Sequence, residues 1–245
     1  MHRCFIESKR WNEEQIVPSQ SEAHHLLHVM RAEEGDRIEV FNGDGLEAEA
    51  VVRYDVDNQL VLDVQISKKE APRPFNITLI QAIPKGSRSD LIIEKSTEMG
   101  ISRIIPVISE RTIVRLKGKQ AEKRLERWNR VAKSAAKQCG TKWLPQIDDI
   151  CSYDTALGKL SEFDVVLLGS LADGVRPLRT VIQELQMRTP KSIAIIIGPE
   201  GDLTPAEIES SLEASAIPVS FGNLVLRAET AALYALSVLA YEFNS

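Results

Sequence analysis

Apolar and polar positions change rhythm once along the chain, near residue 72. Before that point apolar residues tend to alternate with polar ones. RIEVFNGDGLEAEAVVRYD holds two short alternating runs joined by Asn42-Gly43-Asp44-Gly45, and such a turn between alternating runs predicts a β-hairpin. QLVLDVQI predicts a further strand, and residues 21–30 a short helix with Ser21 as its cap. KKEAPRP, with prolines at Pro72 and Pro74, resists regular structure. It predicts a linker and places a domain boundary between residues 72 and 73.

Beyond the linker, near-continuous apolar runs take turns with helical stretches. FNITLIQAI, ISRIIPVIS, DVVLLG, SIAIIIG and PVSF read as strands; residues 88–99 and 118–139 read as helices ending at Gly100 and Gly140. A final helix begins near Glu229. A β-branched run such as SIAIIIG implies a strand covered on both faces, and strand–helix alternation predicts an α/β class with a parallel sheet. In the long helix, Ala121, Leu125, Trp128, Ala132, Ala135 and Cys139 form one apolar stripe, and Lys119, Lys123, Arg127, Arg130 and Lys137 fall on another side.

Composition adds little except through charge. With 245 residues, 43% hydrophobic and 27% charged, the chain reads as a soluble globular protein with room for two cores. No apolar run reaches the roughly 18 residues of a spanning helix. The first residues lack the apolar core of a signal peptide, so a cytoplasmic location is expected. Three scattered cysteines without a C-x-x-C pair predict neither a zinc site nor a disulfide framework. The net charge of −5 is unevenly spread: −7 over residues 1–72, +8 over 73–150 and −6 over 151–245. The concentrated basic segment fits either a polyanion-binding face or a solvated helix face.

Two stretches carry candidate chemistry. Ile197-Gly198-Pro199-Glu200-Gly201-Asp202 follows a predicted strand and precedes a helix whose start is marked by Thr204, Pro205 and Glu207, a capping box. A loop at the carboxyl end of a parallel strand is where open α/β sheets bind ligands, although these residues by themselves favour a tight turn without a ligand. The absence of G-x-G-x-x-G and of G-x-x-x-x-G-K-[ST] disfavours dinucleotide and P-loop sites. All four histidines lie in the first domain, which leaves metal or histidine catalysis without residues in the second. The second stretch, residues 221–232, places Leu224, Val225 and Leu226 in a predicted loop, where apolar side chains either pack or meet a ligand. Arg227, the only basic residue after Lys191, is half of an ion pair or a ligand contact.

GPEGD, LVLRAETA, EKSTEMGISRIIPVISERT and HLLHVMRAEEGD with FNGDG together resemble the bacterial 16S ribosomal RNA uridine-N3 methyltransferases of the SPOUT superfamily, over nearly the whole chain. The family pattern has a second glycine where this chain has Asp202, and a threonine where it has Ala228. The resemblance implies an N-terminal PUA-like β-barrel RNA-binding domain over residues 1–72. It implies a SPOUT trefoil-knot parallel-sheet methyltransferase domain over residues 73–245, and a homodimer. It implies S-adenosylmethionine as methyl donor, no metal, and 16S ribosomal RNA of the small subunit as partner. Carried over, the cofactor contacts are Leu168, Gly169, Gly198, Pro199, Glu200, Gly201, Phe221, Gly222, Leu224, Val225, Leu226, Arg227, Thr230 and Ala231.

For the reaction, Arg227 is expected to stabilise negative charge on the uracil carbonyls, with Glu200 or Glu229 receiving the proton. RNA contacts are expected from Arg3, Arg31, Lys95, Arg103, Arg111, Arg115, Lys123 and Arg127. Two rival readings remain at this level: a SPOUT enzyme acting on another RNA or at a ribose 2′-oxygen, and a non-catalytic RNA-binding assembly factor.

Overall fold

The computed structural model describes residues 2–172 and 174–243, which group into two units. One runs to Pro72 and includes Lys133–Leu144; the other holds Arg73–Ala132 and the chain from Pro145 onward.

The first unit contains β1 (His2–Phe5), β2 (Gln15–Ile16), α1 (Gln20–His24), β3 (Arg37–Phe41), β4 (Leu46–Tyr54) and β5 (Leu60–Lys69). Its sheet has the order β1-β3-β4-β5-β2, with β1 parallel to β3 and the other pairs antiparallel. The expected hairpin joins β3 to β4. Asn42 Oδ1 accepts from the Asp44 and Leu46 amides at 2.8 and 3.0 Å, and Gly43 and Gly45 take φ of +79° and +81°, a region open to glycine at low cost. A bulge interrupts the β4–β5 register at Glu49/Ala50. Among the described residues no pairing joins β1 to β2. Ile16, Leu26, Ile38, Val40 and Leu62 fill its core.

The short helix differs from expectation at both ends. Its cap is Ser19, whose Oγ accepts from the Glu22 amide at 3.3 Å, whereas Ser21 Oγ lies beside Ser19 Oγ at 3.0 Å. Only Gln20–His24 is α-helical; His25–Val29 widens into a π turn. Arg31 then takes a left-handed φ of +55°, an uncommon conformation for a side-chain-bearing residue.

The second unit continues with β6 (Asn76–Ala82), α2 (Arg88–Glu98), β7 (Arg103–Ile108), α3 (Lys119–Cys139), β8 (Gln146–Ile147), β9 (Cys151–Ser152) and α4 (Tyr153–Leu157). After them come β10 (Val165–Gly169), β11 (Arg176–Pro177), α5 (Leu178–Arg188), β12 (Ser192–Ile197), α6 (Pro205–Glu213), β13 (Ile217–Ser220) and α7 (Ala228–Phe243). All its strand pairs are parallel, in the order β11-β13-β10-β12-β6-β7-β8, with β9 beside β7. Ile80, Ile105, Leu168 and Ile196 are buried at its centre, as the apolar runs require of strands covered on both faces. From β13 the chain returns past β10 and β12 so that α7 packs on β6 and α2.

Helix α3 belongs to both units. Trp128, Ala132 and Ala135 are buried, as the stripe predicts, but Cys139 is exposed and Ala136 takes its place. From Lys133 onward the helix packs within the first unit, where Phe5, Phe41 and Leu144 receive Ala136. The expected basic stripe loses Lys137 for the same reason, since it pairs with Glu22 at 2.6 Å.

Candidate functional site

Because β12, β10 and β13 are adjacent and parallel, their carboxyl ends open on one edge, and the loops that follow them meet there. Between these loops lies a cavity of about 630 Å³, within the roughly 300–1,000 Å³ of small-molecule sites. Each loop is shaped by local chemistry. After β12, the Asp202 amide donates to the Pro199 carbonyl at 2.9 Å, Asp202 turns to a φ of +60°, and its Oδ1 accepts from the Leu203 amide at 2.8 Å. Thr204 and Glu207 then form the expected capping box, with Pro205 in the first turn of α6.

After β10, Gly169 leaves room for the loop that follows β13: a Cβ there would lie 3.0 Å from the Phe221 ring and 3.2 Å from Ile197 Cδ1. In that third loop Leu224 and Val225 are 77% and 78% exposed on the cavity rim, so they do not pack into the core. Arg227 closes the loop, its carbonyl accepting from the Ala231 amide at 2.8 Å as α7 begins.

The carboxylates behave differently from one another. Glu200 Oε1 accepts from Arg88 Nη1 at 2.6 Å and from the Lys85 amide at 3.0 Å. Burial pushes its carboxyl up, but backbone amides and Arg88 outweigh this and hold it below the ordinary range. Such a group is a poor proton acceptor near neutral pH. Arg88 Nε also reaches Glu229 Oε1 at 3.3 Å, so one guanidinium joins the loop after β12 to the first turn of α7. Glu229 is not part of the cavity wall. Arg227 lines the cavity and has no ion pair among the described residues.

Of the expected cofactor contacts, Gly169, Gly198, Pro199, Glu200, Phe221, Gly222, Leu224, Val225, Leu226, Arg227 and Ala231 line the cavity together. Three do not. Leu168 is wholly buried in the sheet core, Gly201 faces Arg111, and Thr230 is exposed on α7 outside the wall. The expected contacts omit Ile197, Asp202, Ser220, Asn223 and Ala228, and in the loop after β10 they stop at Gly169 and miss Ser170, Leu171, Ala172, Gly174 and Val175. The signal was available, because their loop leaves the same end of a parallel strand as the other two. Arg88 carried no signal, since its partner Glu200 lies 112 positions away.

The expected RNA contacts divide sharply. Arg3 is corrected outright: 6% exposed, it donates to Glu39 and to the carbonyls of Ala136 and Thr141, and cannot reach a phosphate. Arg103 is also corrected, its guanidinium being bound by Asp148 and Glu162. Lys95 is held at 2.8 Å by both Glu94 and Glu98, which raise its pKa, and Arg127 pairs with Asp90 at 2.7 Å. Arg111 donates to the Gly201 and Leu203 carbonyls, and Arg115 to those of Ser109 and Glu110, so both brace loops while remaining exposed. Arg31 and Lys123 are exposed with no ion pair among the described residues. No group of metal-ligating side chains occurs among the described residues, and none of their helices is long and apolar enough to cross a membrane.

Known proteins match this architecture. Residues 71–240 match the family model of an RNA methyltransferase domain, and residues 19–62 that of an RNA methyltransferase PUA domain. The chain is 33% identical to the ribosomal RNA small subunit methyltransferase E of Bacillus subtilis, over 99% of this chain and 97% of that one. A methyltransferase of Legionella pneumophila, solved in complex with the bound cofactor SAM, superposes with a TM-score of 0.87 at 29% identity, covering 98% of this chain and 96% of the other. The ribosomal RNA small subunit methyltransferase E of Neisseria gonorrhoeae, bound to S-adenosylmethionine, gives 0.85 at 30%, covering 98% and 97%.

Proposed function

The chain belongs to the ribosomal RNA small subunit methyltransferase E family, and on that premise we propose that its glycine-walled cavity binds S-adenosylmethionine for methylation of N3 of a uridine in 16S ribosomal RNA. The observation that carries the reading is Arg227, exposed and without a counter-ion among the described residues, on the rim of a cavity closed by three loops.

The methyl donor supplies an electrophilic methyl carbon on a positively charged sulfur. Gly169 and Gly198 let the wall loops pack closely, since a Cβ on either would press on Phe221, Ile197 or Leu203, and Phe221, Leu224 and Val225 offer apolar surface. Holding donor and uracil in line provides much of the acceleration. As N3 gives up its proton and takes the methyl group, Arg227 stabilises negative charge on the neighbouring uracil oxygens. Glu200, held ionised by Arg88, shapes the loop and does not take the proton.

The first unit, with Arg31, and the α3 surface, with Lys123, receive the RNA backbone. Exposed Leu171, Leu224, Val225 and Tyr234 near the cavity support a homodimer built on that face, which sedimentation equilibrium checks by mass. A ribosomal RNA substrate supports a cytoplasmic location. The deciding experiment combines calorimetric titration with the methyl donor and mass spectrometry of small-subunit RNA methylated by the protein. Donor binding and N3-methyluridine are expected. Absence of binding supports the assembly-factor rival, and a 2′-O-methyl product overturns the N3 assignment.

A further inference from the structure

Among the described residues of the cavity wall, the ionisable side chains are Glu200, Asp202 and Arg227. Glu200 is already neutralised by Arg88. Asp202 is not: its Oδ1 serves the neighbouring Leu203 amide, and its other carboxylate oxygen has no hydrogen bond or ion pair among the described residues. The carboxylate lies against the cavity's glycine wall, where a Cβ added to Gly198 would stand 3.4 Å from Asp202 Oδ1. The side chain is half-buried, so water screens it only in part.

Asp202 holds this position at a φ of +60°. Left-handed backbone is less favourable for a side-chain-bearing residue than for glycine, though less so for aspartate than for most. Beyond one acceptor for the Leu203 amide, which asparagine would supply as well, local folding gains nothing from the side chain that glycine would not provide. What aspartate adds is an uncompensated negative charge in the wall of a cavity that, on the reading above, takes a methyl donor with two positive centres, the sulfonium and the amino-acid ammonium.

Resting on that reading, we propose that Asp202 is a cofactor-recognition residue whose carboxylate binds a cationic centre of the methyl donor. The two possible centres differ in consequence. Methyl transfer breaks the carbon–sulfur bond and leaves its electron pair on sulfur, so the sulfonium becomes a neutral thioether while the ammonium persists. A carboxylate at the sulfur favours the donor over its demethylated product and helps release the product; one at the ammonium binds both alike.

The test titrates S-adenosylmethionine and S-adenosylhomocysteine into the parent protein and into Asp202→Asn and Asp202→Gly. Asparagine keeps an acceptor for the Leu203 amide and tolerates the left-handed backbone; glycine relieves it, so both variants should fold. The Asn variant is expected to bind the donor roughly five-fold more weakly, the size of a partly screened ion pair. Loss confined to the sulfonium ligand assigns the contact to sulfur; equal loss for both ligands assigns it to the ammonium. If Asp202→Asn binds both ligands like the parent, the proposal is overturned, and a loss seen only in Asp202→Gly would then belong to the Leu203 hydrogen bond. A parent protein that binds neither ligand overturns the methyl-donor reading itself and this inference with it.

Discussion

Two charge clusters of the α/β unit use the same residue types to opposite ends. Around Asp148, an almost buried carboxylate receives Arg103 through two bonds of 2.9 and 2.7 Å and Lys159 at 2.8 Å, and Glu162 takes the remaining arm of Arg103. Every formal charge there is matched. Around the cavity, Glu200 is matched by Arg88, but Arg227 and Asp202 face the space with no ion partner among the described residues. The first cluster is architecture, tying β7 to the segment after β8. The second leaves charge available to a ligand, at some cost in stability.

The largest effect on stability that tests this contrast falls on the matched cluster. Removing Arg103 leaves the almost buried Asp148 with Lys159 alone and uncovers Glu162, so Arg103→Ala should destabilise the protein by about 2 kcal/mol in urea unfolding. The same cluster sets an acid limit. Burial raises the Asp148 carboxyl, but Arg103 and Lys159 outweigh it, so its folded pKa lies below the unfolded value of about 3.9. Its contribution is therefore complete above that pH and drains away as pH falls through the folded pKa. The parent should lose more stability between pH 5 and pH 2 than Arg103→Ala does; equal losses would assign the acid sensitivity to other groups.

On the unmatched side the sign of the contrast reverses. Arg227→Ala should leave the urea midpoint in place and lower the methylation rate by about 100-fold, the usual scale for losing one preorganised charge stabiliser. A drop in stability with unchanged turnover would make Arg227 architectural after all. Between the extremes stands Arg88, which matches Glu200 and reaches Glu229. Arg88→Ala should weaken donor binding by roughly ten-fold, since it frees the loop after β12 and strands two carboxylates. Arg88→Lys should recover part of that loss, and a calorimetric isotherm for each variant checks the order.

Local features of this contrast were legible from sequence and distant ones were not. The capping box at Thr204 and Glu207 lies within four residues, and the structure reproduces it. The hairpin at Asn42–Gly45 likewise follows from backbone preferences that neighbouring residues decide. Residues 198–202 and 221–227 both follow apolar runs read as parallel strands, which puts each at a carboxyl end; that β10 lies between those two strands is a matter of topology. By contrast, Arg3 is expected from the sequence to contact RNA, yet Ala136 and Thr141, more than 130 residues on, supply the carbonyls that bury it. The same holds for Arg103 with Asp148 and for Cys139, whose buried place passes to Ala136 because α3 changes the unit it packs within. Whether a charge is spent is a tertiary property, so a count of basic residues overstates the RNA surface.

That correction gives the smallest expected effect and the sharpest use of salt. Lys123 and Arg127 sit one turn apart on α3, and only Arg127 has an ion partner, Asp90. A free lysine that neutralises a phosphate releases about one counter-ion, so Lys123→Ala should reduce the slope of log affinity against log salt by about one. Arg127→Ala should reduce it by less, because Asp90 already cancels part of its charge and is itself uncovered by the substitution. RNA binding measured across a salt series separates the two. Equal slopes for both variants would mean that Asp90 releases Arg127 on binding, and that matched charges on this helix are also available to RNA.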